Sequence, residues 1–184
     1  SVGAKFDAIA VGYLSDPAQV QAVEALWRSF DALRILDPAM GDHGKLYSRI
    51  TDTHVAALRQ LCKKADLLMP NVTEACLLTG TPYHGEALHT AEAVAMAESL
   101  LTLGCRAAVI TGIVREDIIC NLTYTGAEPE FSVIHRTKSL FSGTGDLFAS
   151  VLCGALANRK PLADAVQIAG SFLSDVTQYT LGQQ

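Results

Sequence analysis

The chain is poor in charge, in aromatic residues and in long apolar runs. Of its 184 residues, 18% are charged and 7% aromatic. Lys and Arg number 14 against 19 Asp and Glu, a net charge of −5. Without a basic surplus to neutralise a phosphate backbone, nucleic-acid binding is excluded as the main task. The apolar stretch around Leu67-Leu68-Met69 is far too short to cross a bilayer. No signal-peptide h-region and no Arg-rich transit pattern is visible, and Ser1 stands where an initiator Met would. The expectation is a cytoplasmic location and a chain that begins inside a larger fold. Five cysteines (Cys62, Cys76, Cys105, Cys120, Cys153) include no CxxC pair. Zinc or dithiol chemistry and a disulfide framework are therefore not expected, and buried thiols in a reducing compartment are. GxxxxGK[ST] is missing, which excludes a P-loop kinase, and so are the protein-kinase HRD and DFG sets. Ser142 and Ser150 have no neighbouring His in sequence, so a serine hydrolase is unsupported.

What is present is a globular composition, 49% hydrophobic, without low-complexity or linker segments. One domain over 1–184 is expected. Short apolar runs at 7–12, 34–37, 66–69 and 107–111 read as strands. Helical spacing fills 17–30, 51–64, 74–79, 90–103, 146–158 and 162–179. Residues 39–48 read as a Gly-rich polar loop, and 118–124 with 131–135 as a hairpin. Strands alternating with helices predict an α/β fold of three layers, its mostly parallel sheet covered on both faces.

In such sheets ligands bind beyond the carboxyl ends of the strands. Gly12-Tyr13, Asp37 to Asp42, Asn71 to Glu74 and Thr111-Gly112 occupy those places. The strongest feature is Ser-Gly-Thr-Gly-Asp-Leu-Phe at 142–148. Gly143 and Gly145 permit a sharp turn, and the helix that follows offers unpaired N–H groups and a positive dipole end to an anion. Asp146 in that first turn can take a hydroxyl proton while the amides steady a transferring phosphoryl group. Each residue also has a plain structural reading. Asp146 and Glu74 are ordinary first-turn carboxylates, Asn71 is a cap, Asp37 is a turn residue, and Tyr13 and Tyr47 pack.

Taken in order, these segments resemble the ribokinase-like superfamily, and within it the pyridoxal (pyridoxine, pyridoxamine) kinase branch. The resemblance rests on Gly12-Tyr13, Asp37-Pro-Ala-Met-Gly-Asp42 through Tyr47, Met69-Pro-Asn-Val-Thr-Glu74, Thr111-Gly112 and the 142–148 segment. It implies ATP-dependent phosphorylation of the 5′-hydroxymethyl group of a B6 vitamer. Asp146 would be the base and a substrate contact, with Gly143, Thr144 and Gly145 as the oxyanion hole. Asp37, Asn71, Glu74, Thr111, Thr137, Lys138, Thr144, Gly145 and Tyr47 would lie along ATP. Asp42 and Glu74 would organise Mg²⁺, Tyr13 would meet the vitamin ring, and a monovalent cation such as K⁺ would assist. A homodimer is implied for the full-length protein.

The sequence departs from that pattern at Met69, where the branch has a Thr that helps hold the monovalent cation, and at Val11 and Ala39. The branch's opening strand, Gly-rich segment and lid hairpin have no counterpart before Ser1, and the tail after the last helix is short. From this the 184 residues alone are expected to show little turnover. The alternatives are a hydroxymethylpyrimidine kinase of the same fold, whose motif often ends in Cys where Asp146 stands, a sugar kinase, or an inactive ribokinase-like ligand-binding protein.

Overall fold

The structure is a computed structural model that describes residues 3–116, 118–135 and 143–182. Its elements are β1 (Ala8–Val11), α1 (Gln19–Ser29), β2 (Leu33–Leu36), β3 (Gly41–Asp42), β4 (Lys45–Leu46), α2 (Asp52–Cys62) and β5 (Leu67–Leu68). They continue with α3 (Val72–Thr79), α4 (Thr90–Leu101), β6 (Ala107–Arg115), β7 (Ile118–Tyr124), β8 (Glu130–His135), α5 (Thr144–Ala157) and α6 (Leu162–Leu181).

Six strands form one sheet in the order β1-β2-β5-β6-β7-β8. The pairs β1–β2, β2–β5 and β5–β6 are parallel, and β6–β7 and β7–β8 are antiparallel. This is the expected mostly parallel α/β sheet.

Strand alternation explains the layers. Leu36, Leu68, Ala108 and Ile110 point to a core shared with α1 to α4. Their neighbours Ile35, Leu67, Ala107 and Val109 point to a second core under α5 and α6. Because both faces are covered, the central strands read as continuous apolar runs rather than alternating ones. Leu36, Leu61, Leu68 and Leu100 are fully buried. Four cysteines are buried and Cys153 is half-buried, all five as free thiols. None of the described helices is long and apolar enough to cross a membrane.

Several local expectations are corrected. The segment 39–48 is not all loop, because it contains the antiparallel hairpin β3–β4. His43 (φ 48°) and Gly44 (φ 73°) form its turn. Two successive left-handed residues match the twist of a two-residue hairpin, a signal that His-Gly in place of Asn-Gly concealed. Helix α1 starts at Gln19, because the Asp16 carboxylate accepts the Ala18 N–H (2.8 Å) and holds a turn before it. Leu26, at the same helical spacing as the buried Val20 and Trp27, is exposed. Helix α3 begins at Val72 and α5 at Thr144, each two residues ahead of the expected start. Strand β6 runs past Gly112 to Arg115, since its far half is stabilised by β7 rather than by the parallel strands.

Candidate active site

Four strand ends and one helix start converge at the carboxyl edge of the sheet. Asp37 leaves β2 with its N–H bound to the Val11 carbonyl at the end of β1 (2.8 Å). A Cβ placed on Gly12 would lie 4.0 Å from Asp146 Oδ1, so the first turn of α5 stands directly over β1. A cavity of about 170 Å³ between them is lined by Val11, Gly12, Ile35, Asp37, Asp146 and Ser150, with Ala10 and Ala149. Ala149 and Ala10 were not singled out from sequence, and Ser150 only as an unsupported nucleophile. Ser150 sits one turn after Asp146, and its hydroxyl donates to the Asp146 carbonyl (2.7 Å). That spacing was the available signal.

Gly143 precedes α5 with φ 84°. Any other residue there pays a left-handed penalty of about 1–2 kcal/mol. Among the described residues no side chain caps this helix, and the first helical bond is Leu147 N–H to the Gly143 carbonyl (3.1 Å). The N–H groups of Thr144, Gly145 and Asp146 belong to the first turn, which has no intrahelical acceptors. Gly143, Gly145 and Asp146 are exposed there, so this helix start can receive an anion.

Asn71 and Glu74 form a reciprocal cap on α3. Glu74 N–H donates to Asn71 Oδ1 (2.8 Å), and Asn71 N–H donates to Glu74 Oε2 (2.9 Å). Asn71 Nδ2 also donates to the Gly41 carbonyl (2.8 Å), and Met40 N–H to Glu74 Oε1 (3.1 Å). The cap therefore ties the β3–β4 hairpin to the mouth of β5. Both carboxylate oxygens of Glu74 thus hold amides, which leaves it to act on a metal through its charge and through water. Thr111 bridges to Asn71 in parallel register, its N–H on the Pro70 carbonyl (2.9 Å). Next to it Gly112 N–H meets Asn121 Oδ1 (3.4 Å), a buried contact from β7 that the sequence did not mark.

The electrostatics show how the acids crowd. Burial pushes Glu74, 3% exposed, up to about 8, and Asp37's charge adds to this against three backbone hydrogen bonds. Burial followed by the charge of Asp146 pushes Asp37 up to about 7. The Tyr47 phenol is pushed up to about 12, first by partial burial and then by Glu74, Asp42, Asp37 and Asp146. Tyr47 thus feels all four carboxylates, which places the expected phosphate-side and catalytic acids in one field. Tyr13 lies at the same edge, nearly half exposed. Thr137 and Lys138 lie outside the described residues. His43 meets this centre only at Asp42 (3.6 Å), and its ring otherwise pairs with Glu86 (3.0 Å).

An oxygen-only set of carboxylates suits a hard divalent cation that keeps its waters. Asp42 is exposed at the hairpin, and the raised Asp37 and Glu74 would gain from a nearby positive charge. The residues present therefore fit Mg²⁺. At position 69 they offer a monovalent cation no side-chain oxygen. Met69 is 4% exposed and packs in the α5–α6 core.

A mostly parallel, helix-covered sheet with a Gly-Thr-Gly-Asp helix start at its carboxyl edge defines a ribokinase-like α/β protein. The chain belongs to the phosphomethylpyrimidine kinase family, which matches residues 2–184. The pyridoxine/pyridoxal/pyridoxamine kinase of Bordetella avium is 33% identical over 179 residues, covering 90% of this chain and 58% of the relative. The crystal structure of pyridoxal kinase from Lactobacillus plantarum superposes with a TM-score of 0.88 at 32% identity, over 98% of this chain and 65% of that one. Pyridoxal kinase from Leishmania donovani, solved with ADP and ginkgotoxin, gives 0.84 at 28% identity, over 97% and 62%. The chain thus spans about three fifths of the length of these relatives.

Proposed function

We propose that the protein carrying this chain is an ATP-dependent kinase that phosphorylates the 5′-hydroxymethyl group of pyridoxal, pyridoxine or pyridoxamine. The observation that carries this reading is Asp146 in the first turn of α5, facing Gly12 and Asp37 across a small cavity. The names of the relatives and the ADP bound by the Leishmania protein support it.

In this reading Asp146 takes the proton of the vitamin hydroxyl, and the amides of Gly143, Thr144 and Gly145 stabilise charge growing on the transferred phosphoryl group. Asp37, Asn71, Thr111 and Tyr47 line the path of ATP, and Thr137 and Lys138 are assigned to ATP by the family resemblance alone. Tyr13 meets the vitamin ring. Asp42 directly, and Glu74 through water, would hold Mg²⁺, which supplies charge neutralisation between the phosphates. The acidic centre otherwise repels ATP, so the reaction is expected to be strictly Mg²⁺-dependent. K⁺ activation is expected to be weak, because Met69 gives no oxygen ligand. A cytoplasmic homodimer completes the proposal.

The test is coupled ADP release by the native full-length protein with each B6 vitamer and with hydroxymethylpyrimidine. Turnover of a vitamer above hydroxymethylpyrimidine supports the reading. The family match favours hydroxymethylpyrimidine as the second reading, and the reverse preference would establish it.

A further inference from the structure

The β3–β4 hairpin carries Asp42 and leads into Tyr47, and its Met40–Gly41 backbone holds Glu74 and Asn71. Two strands of two residues cannot hold such a turn by themselves. Its tip is held from outside by α3 and by the segment between α3 and α4. Gly44 N–H donates to Thr73 Oγ1 (2.9 Å). His43 Nδ1 lies 3.0 Å from Glu86 Oε1, and the Tyr83 hydroxyl donates to that same oxygen. The Tyr83 ring lies against Gly44 so closely that a Cβ there would sit 2.5 Å from its Cδ1. Glu86 is itself anchored, its carbonyl accepting the Val114 N–H of β6 (2.9 Å). Glu86 thus joins strand β6 through its backbone carbonyl, and Tyr83 and the hairpin tip through one carboxylate oxygen.

We infer that Tyr83 and Glu86 are positioning residues for the nucleotide. They clamp the hairpin so that Asp42, Tyr47 and the Glu74-binding amides keep one arrangement. The inference rests on the nucleotide side of the kinase reading given above. Neither residue touches the reacting atoms in this assignment, so both act through the hairpin.

Three variants of the native full-length protein, Glu86→Ala, Glu86→Gln and Tyr83→Phe, test the clamp by amide hydrogen exchange and by steady-state kinetics. Glu86→Ala is expected to speed exchange at the Gly44 and Tyr47 amides at least tenfold, with the amides of β5 unchanged. The KM for Mg·ATP should rise about fivefold or more, while kcat and the KM for the vitamin move less than twofold. Glu86→Gln keeps an acceptor oxygen and should restore most of both effects, with Tyr83→Phe between. Hairpin exchange that matches wild type in Glu86→Ala overturns the clamp. So does faster exchange with an unchanged KM for Mg·ATP. Wild-type protein that turns over no vitamer counts instead against the kinase reading. In that case the hairpin exchange and the Mg·ADP dissociation constant, measured by calorimetry, still decide the clamp.

Discussion

Replacing Asp37 by Asn removes one charge from the acidic centre and leaves its shape. In the folded chain burial and the charge of Asp146 hold this carboxyl at about 7, against an ordinary 3.8. Between those values the native state keeps a proton that the unfolded chain has lost, so stability falls as pH rises. The loss is complete once the pH passes the folded value. Asn cannot ionise and escapes it. Linkage over this interval gives a wild-type stability that declines relative to Asp37→Asn by about 2–3 kcal/mol from pH 5 to pH 8. Glu74 shifts with it, because Asp37's charge helps hold Glu74 at about 8. The measurement is urea unfolding of both proteins in metal-free buffer at half-unit pH steps, with slope and midpoint reported separately. The gap should open mainly below pH 7 and flatten above it. A difference that stays constant across pH 5–8 would refute the argument that these acids are crowded and desolvated.

Asp146→Asn should lower kcat/KM for the vitamer by ~10²–10⁴, the usual worth of a general base, with the KM for ATP nearly unchanged; isothermal titration with Mg·ADP checks the second half. Gly143→Ala forces a methyl-bearing residue to φ 84°, so a loss of about 1–2 kcal/mol and a lower kcat are expected from thermal melts and initial rates. Asn71→Ala removes both the cap on α3 and the tie to Gly41, costing about 1–2 kcal/mol, and should raise the KM for Mg·ATP. Leu68→Ala, fully buried at the sheet centre, should cost about 2–5 kcal/mol in chemical denaturation without moving the pH profile.

The order of strands and helices was legible because each central strand is a short apolar run and each helix an amphipathic one, and neither signal depends on distant residues. Boundaries were less legible. The first turn of α3 is polar on one side because Asn71 and Glu74 cap each other, so periodicity alone began the helix late. The β3–β4 hairpin was hidden for a related reason: its turn is His-Gly, and its stability comes from Thr73, Tyr83 and Glu86, which lie 29 to 43 positions away.

By itself the sequence determined the α/β class, the strand ends where polar residues gather, and the Gly-Thr-Gly-Asp helix start, since each is written in residues within one turn or strand of one another. Only the tertiary structure decided which of those residues share a field. Asp37 and Asp146 are more than a hundred positions apart, and their coupling exists because β1 and β2 pair in parallel and α5 packs over them. Whether Glu74 is a cap or an active-site charge was likewise open in the sequence. The fold makes it a cap whose charge is coupled to Asp37, because the same burial that lets its oxygens hold two amides also raises the cost of its charge.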